Sequence, residues 1–199
     1  APGSGEWGFE HPFHDINLND IFNAFHAAHR QRNPDINVQM AISLQEAFYG
    51  CTKQVSTNGK PVTIAIPAGA DTGMIFRVPG AGHSTYPNMP AGDLLVRLQV
   101  YPDQRFIRVG SNLVIKESIN AFDAMMGAPR EIVGIDGQAI SIVVPPNIQQ
   151  GQKLRVAGHG MPVKNGQRGD LLIDVDIAIP KLNPTQIEKL REFRDLHTL

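Results

Sequence analysis

The chain has 199 residues, 42% of them hydrophobic, with 19 Gly, 15 Pro and 7% aromatic residues, a composition of folded, turn-rich protein and not of disordered chain. Its net charge of −1, from 18 basic and 19 acidic residues, lacks the cationic excess that attracts a phosphate backbone, and argues against nucleic acid as a partner. Cys51 is the single cysteine, which excludes an intrachain disulfide and a multi-cysteine zinc site; with neither an apolar run of roughly 18 residues nor a signal peptide, a cytoplasmic setting and no membrane partner are expected.

Residues 1–34 read as a Gly/Phe-type linker with a short helix. Gly3, Gly5 and Gly8 interleave with Trp7, Phe9 and Phe13, too irregularly to build a core. From Asn19 as N-cap, Ile21, Phe22, Phe25, Ala28 and His29 fall on one helix face, and Pro34 ends the helix. His11/His14 and His26/His29 have a helical i, i+3 spacing, but no carboxylate or cysteine joins them at a matching spacing, so no metal is expected.

Ile36, Val38, Met40 and Ile42 alternate with polar or small residues, the period of a half-buried strand. Ser43 and Glu46 have capping-box spacing, which predicts a short helix through Ala47 and Phe48 that stops at Gly50. Asn58-Gly59 lies between Lys53, Val55, Thr57 and Val62, Ile64, Ile66, and predicts a hairpin whose turn takes positive φ at both positions. The plan then recurs: a strand over 113–119, Asn120 and Asp123 before a stop at Gly127, and Asp136-Gly137 as a second tight turn.

The stretch Pro67 to Gly82 returns at Pro145 to Gly160 with six identities in sixteen positions, where composition alone gives about one. Each copy closes on Gly-Asp-Leu-Leu, at 92–95 and 169–172, followed by alternating apolar residues. The expected fold is all-β: two tandem small β-sandwich domains with short helices, at 35–109 and 110–181. Asn183, Pro184 and Gln186 then open a C-terminal helix. Its Ile187, Leu190, Phe193 and Leu196 cover an arc wider than one contact face. Residues 182–199 are therefore expected to touch both their own unit and a second chain, as a dimerisation helix of a homodimer.

Ser-Leu-Gln-Glu-Ala-Phe-Tyr-Gly-Cys-Thr-Lys (43–53), Pro-Ala-Gly-Ala-Asp-Thr-Gly (67–73), Phe-Arg-Val-Pro-Gly-Ala-Gly (76–82) and Ala-Gly-Asp-Leu-Leu-Val (91–96) resemble the substrate-binding region of DnaJ-type J-domain co-chaperones. Gly-His-Gly-Met-Pro (158–162) and Arg-Gly-Asp-Leu (168–171) are similar to that family's second C-terminal domain. The resemblance spans about 35–199, and Asn-Asp-Ile-Phe (19–22) looks like the linker helix that precedes these domains. The J-domain's His-Pro-Asp tripeptide, which triggers ATP hydrolysis in the DnaK-type partner, is absent from the 199 residues, since His11-Pro12-Phe13 departs from it. The cysteine-rich zinc insert is absent too, so the resemblance is to the zinc-free class, and with Ala1 in place of Met a fragment of a longer protein is expected.

The resemblance implies binding of exposed hydrophobic segments of unfolded proteins and their presentation to a DnaK-type chaperone. Val38, Met40, Val55 and Val96 match the positions that line the family's peptide groove, with Thr57 in place of the usual apolar residue. Lys53 and Lys60 flank the same hairpin, where the resemblance puts contact with an acidic tail of the partner chaperone. The physics is β-strand addition: main-chain hydrogen bonds give sequence-tolerant affinity and an apolar groove takes a bulky side chain. The bland alternative is that these apolar residues are simply core.

A tandem β-sandwich that binds another ligand, such as carbohydrate, is the rival; it needs exposed aromatic platforms, and one Trp with three Tyr are few. Gly80-Ala81-Gly82 and Gly158-His159-Gly160 lack the third glycine of a dinucleotide loop and read as β-turns. Asp93 and Asp170 occupy equivalent places, which suits turn-forming better than a shared catalytic pair, and Cys51 has no base nearby. No catalytic residue, cofactor or enzymatic activity is expected. Specific function is expected where the copies differ: Lys53, Val55 and Lys60 against Glu131, Val133 and Gln138.

Overall fold

The computed structural model describes residues 32–164 and 166–196; the expected linker helix and both histidine pairs lie outside them. The fold is all-β with short helices. In the first repeat, β1 (Ile36–Ile42), α1 (Leu44–Tyr49), β2 (Cys51–Thr57), β3 (Lys60–Ile66), β4 (Ile75–Val78) and β5 (Leu94–Val100) follow in order. β5 is central, with β1 parallel on one side and β4 antiparallel on the other, while β2 and β3 pair as a separate hairpin.

The second repeat runs β6 (Ile107–Val109), β7 (Asn112–Asn120), α2 (Ala121–Met126), β8 (Ala128–Val133), β9 (Ala139–Val144), β10 (Lys153–Val156) and β11 (Leu171–Ala178). β11 takes the central place, parallel to β7 and antiparallel to β10, and β8 pairs with β9. One strand has no counterpart in the first repeat among the described residues: β6 lies antiparallel on the outer edge of β7, across the expected boundary at 109/110.

Local signals explain the short helices. Ser43 Oγ accepts from Glu46 N–H at 3.1 Å and Glu46 Oε2 accepts from Ser43 N–H at 2.9 Å, a full capping box. Asn120 caps α2 differently, with its side-chain oxygen accepting from Phe122 N–H at 2.9 Å.

The two hairpin turns differ, contrary to the expectation of two tight turns. Asn58 and Gly59 have φ of 50° and 73°, the geometry of a two-residue turn matched to strand twist. In the second hairpin the β8–β9 pairing stops at Val133 and Ala139, leaving a loop over 134–138 in which Gly137 has positive φ (76°) and Asp136 does not. The cause is one inserted residue: the copies are offset by 77 at Gly50 and Gly127 and by 78 at Pro67 and Pro145. The strand register therefore aligns Lys53 with Arg130 and Val55 with Ile132, one residue away from the Glu131 and Val133 compared above.

The repeated motif proves to be a latch. Arg77 Nε donates to Asp93 Oδ2 at 2.6 Å and Gly80 N–H to Asp93 Oδ1 at 3.0 Å. Arg155 Nε and Gly158 N–H do the same to Asp170, at 2.6 and 3.1 Å. The Gly80 amide and Arg77 guanidinium hold the Asp93 carboxyl below the ordinary carboxylate value, and Arg155 and Gly158 hold Asp170 down likewise. The glycine before each aspartate is required by close approach: a Cβ on Gly92 would lie 2.0 Å from Pro34 O, and one on Gly169 2.0 Å from Ser111 O.

A continuous buried cluster joins the two repeats, from Met40, Phe48 and Leu98 to Phe106, Ile115, Ile135 and Met161. At the junction the Arg168 guanidinium lies over the Phe48 ring, and Arg168 Nη1 donates to Asp136 Oδ2 at 3.0 Å. From the other side Arg108 Nη1 donates to Ala70 O at 2.6 Å and Nη2 to Gly69 O at 3.1 Å.

α3 (Pro184–Leu196) is capped by reciprocal bonds between Asn183 and Gln186. It buries none of its residues, so the expected packing on its own unit is not met. Ile187, Leu190, Phe193 and Leu196 are all exposed, Leu196 to 80%.

Candidate functional site

Among the described residues β1 pairs with β5 alone, and none covers its other edge. Ile36 N–H donates to Asp93 O at 2.8 Å. Because backbone groups alternate sides along a strand, the amides of Asn37, Gln39 and Ala41 face the open edge. A concavity of about 370 Å³, lined by Asn37, Val38, Gln39, Ile75, Leu95 and Arg97, extends across β1, β5 and β4, and the alternation of the strands puts Asn37, Gln39, Leu95, Arg97 and Ile75 on the face opposite Met40 and Val96.

The sequence-predicted groove residues lie on three strands, β1, β2 and β5, at different depths. Val38 on β1 and Val55 on β2 are half-buried and pack against the core cluster. Met40 is 8% exposed, Thr57 7%, and Val96, opposite Val38 on β5, is fully buried. Val38 and Val55 are thus partly exposed, whereas Met40 and Val96 are buried. Thr57 is one of the few buried polar side chains among the described residues, close beside the Asn58-Gly59 turn.

Lys53 is held from within. Its Nζ lies 2.5 Å from Glu46 Oε1, while the other oxygen of Glu46 caps α1. The Lys53 hydrogen bond, with the Ser43 amide, holds the Glu46 carboxyl below its ordinary value, and Glu46 raises the Lys53 ammonium. Lys60 is exposed at the far end of the hairpin, opposite Thr57. Burial, and then the charge of Glu46, push the Cys51 thiol up, which keeps it protonated.

The same place in the second repeat is closed. Strand register equates Val38 with Ile115, Met40 with Glu117, Val55 with Ile132 and Val96 with Ile173. Ile115, Ile132 and Ile173 are each 3% exposed or less. β6 covers the edge of β7, and Arg105 spans the strands: Nη2 lies 3.1 Å from Glu117 Oε1 and Nη1 donates to Val133 O at 2.7 Å. Arg130 Nη2 also donates to Ser118 O at 2.8 Å. Sequence reading missed Arg105, Phe106 and the Glu46–Lys53 pair. Glu46 and Lys53 sit seven residues apart on two elements, a spacing that carries no periodic signal, whereas the apolar Phe106-Ile107 pair before β7 was a visible hint.

No helix of the described residues is long and apolar enough to cross a membrane. A family model described as the DnaJ C terminal domain matches residues 36–180. Chaperone protein DnaJ of Zymomonas mobilis is 38% identical over 141 residues, which cover 70% of this chain and 38% of that protein. Chaperone protein DnaJ of Syntrophobacter fumaroxidans is 40% identical over 149 residues, 73% of this chain and 38% of that protein. Chaperone protein DnaJ 2 of Thermus thermophilus is 34% identical over 157 residues, 78% of this chain and 54% of that protein. The chain thus spans less than two thirds of each relative's length. With 145 of its residues under one family model (36 to 180) and the paired latches repeated in its two units, the chain belongs to the DnaJ C-terminal domain family.

Proposed function

We propose that this chain is the client-binding part of a zinc-free DnaJ-type co-chaperone. It takes up exposed hydrophobic segments of non-native polypeptides and, in the intact protein, presents them to a DnaK-type chaperone. The observation that carries the reading is the edge of β1 that no described residue covers, in a repeat whose Val38 and Val55 are half-buried on one core cluster. An extended segment completes such an edge through its main chain, and the apolar groups beside it take one or two side chains. No covalent step is involved.

In this reading residues 35–109 are the client-binding domain, 110–181 a second domain that supports it, and 182–199 the helix that joins two chains. The exposed stripe Ile187, Leu190, Phe193 and Leu196 supports a homodimer. Two weak grooves on one client raise avidity by roughly two to four orders of magnitude when their spacing fits. An acidic tail of the partner chaperone would compete with Glu46 for Lys53 and meet Lys60 on the same hairpin. The test is suppression of client aggregation by the folded chain, compared with a variant in which the groove's apolar side chains are made polar.

A further inference from the structure

The β2–β3 hairpin is a two-stranded sheet of its own, separate from the ladder of β1, β5 and β4. Its apolar grip is strongest at the root. Ile64 and Ile66 are 4% and 3% exposed there, whereas Val55 and Val62, opposite each other nearer the turn, are half-buried. Among the described residues two polar ties join this hairpin to the rest of its unit, one at each end. Lys53 holds Glu46 of α1 near the root. At the tip, beside the buried Thr57, Asn58 Nδ2 donates to Gly82 O at 2.7 Å.

The acceptor is a fixture of the repeated stretch. Gly82 ends the first copy, its N–H donates to Gly92 O at 2.8 Å, and a Cβ there would lie 2.5 Å from the Gly92 carbonyl carbon. Gly160 ends the second copy and is held alike, its N–H donating to Gly169 O at 2.7 Å with 2.6 Å left for a Cβ. That carbonyl also receives the tip of its hairpin, through an intermediary. Arg168 Nε donates to Gly160 O at 3.1 Å, and Nη1 to Asp136 Oδ2 in the 134–138 loop at 3.0 Å. One carbonyl position thus fastens the hairpin tip in both repeats.

The two fasteners differ in what else they hold. Asn58 ties the first hairpin within its own unit. Arg168 is also stacked on Phe48 of the other repeat, and Arg105 and Arg130 add bonds to Val133 O and Ser118 O along the second hairpin.

We propose that the β2–β3 hairpin is a leaf rooted at Ile64 and Ile66 and fastened at its tip by Asn58 on Gly82 O, and that it opens without disturbing the junction between repeats. Asn58 is thereby a positioning residue for the client: it holds Val55 at the depth where a client side chain meets it. This rests on the polypeptide-binding reading above and adds the group that governs how long a bound segment stays. The β8–β9 hairpin is the fixed counterpart, since its tip leaves Gly160 only when Arg168 leaves Phe48 or Asp136.

The leaf is read by the rate at which iodoacetamide alkylates Val62→Cys in a Cys51→Ser background. Asn58→Gly keeps a residue suited to positive φ and Asn58→Asp keeps the side chain's size, while both remove the donor. Each is expected to speed alkylation roughly threefold or more, since one neutral hydrogen bond shifts such an equilibrium by roughly two- to tenfold. Arg168→Ala is expected to leave that rate unchanged and to speed alkylation of Ile140→Cys, at the counterpart of Val62. Reduced, carboxymethylated α-lactalbumin is expected to leave both Asn58 variants roughly threefold faster, with its association rate unchanged. Faster alkylation in Asn58→Gly but not in Asn58→Asp would assign the effect to the turn backbone and overturn the tie. Faster alkylation of Val62→Cys in Arg168→Ala would overturn the leaf's independence. If alkylation quickens and lactalbumin release does not, the positioning role falls and the client-binding reading stands. A parent chain that does not bind the lactalbumin overturns that reading and the positioning role with it, and alkylation alone then decides the leaf.

Discussion

The guanidinium carbon of Arg168 sits 4.8 Å from the centre of the Phe48 ring, so a cation of the second repeat is stacked on the first helix of the other. Arg168 also donates to Asp136 Oδ2 and, through Nε, to Gly160 O at 3.1 Å, while its Nη2 is buried without a hydrogen-bond partner among the described residues. Tyr49 Oη donates to the carbonyl of Asp136 at 3.2 Å from the same helix. Burial raises the Asp136 carboxyl, but Arg168 and the Gln138 amide outweigh it and keep the group below its ordinary value. Replacing Arg168 with Ala removes a stacked cation and a charge-assisted bond, and is expected to cost about 2 kcal/mol. Denaturant unfolding checks this: the midpoint should fall with the slope unchanged, and an unshifted midpoint would show that the junction contributes nothing.

The groove prediction concerns Met40→Ser combined with Val55→Ser. Both side chains belong to or pack against the core cluster beside the open edge, so the double change makes the groove polar while the ladder of β1 on β5 remains. Client affinity should fall on the order of tenfold. Circular dichroism establishes that the variant is folded, and a light-scattering assay of client aggregation then reads the effect. Full protection by the folded variant would place the client elsewhere.

A third expectation follows from α3, whose four apolar side chains are exposed and none of whose residues is buried. Deleting residues 183–199 should leave the β-sheets intact and convert a dimer to a monomer. Sedimentation velocity distinguishes the two, and a truncated chain that still sediments as a dimer removes the role assigned to the helix.

The latches make the fold acid-sensitive. Asp93 and Asp170 both have pKa values lowered in the folded state. Their contribution to stability is complete above the unfolded value of about 3.9 and is lost as pH falls through the lower folded values. Stability should therefore decline as pH falls below about 4, where the unfolded chain takes up protons that the latched carboxylates resist. Asp93→Asn and Asp170→Asn should each lower stability at neutral pH and flatten the acid limb of a thermal-melt series. An acid limb as steep in both variants as in the parent would assign the sensitivity to other carboxylates.

Much of the fold was legible because its signals are local. The alternation over 36–42, the Ser43–Glu46 box and the Asn58-Gly59 turn each specify their geometry within a few residues, and each appears as expected. The Asp136-Gly137 turn failed because the register is set by strands on either side, and one inserted residue moved the pairing away from the dipeptide. The shared face of Val38 and Met40 on β1 was legible, since alternation places them together. Their depth was not: whether a strand edge is open depends on what a distant segment does. Nothing within 36–57 says that no described strand covers β1 as β6 covers β7.

Parallel pairing has a further consequence, for the order in which the chain can fold as it is made. The central strand of each repeat is the last one synthesised: Leu94 meets Ile36 and Leu171 meets Leu113, each pair 58 residues apart (94 minus 36, 171 minus 113). At a synthesis rate of 5–20 residues per second, β1 waits roughly 3–12 s for its partner after it is made. The hairpin β2–β3 can close in that interval, but β1 stays unpaired along both edges until β5 arrives. A nascent chain of this protein therefore displays for seconds an apolar strand, Ile36–Ile42, with neither edge paired.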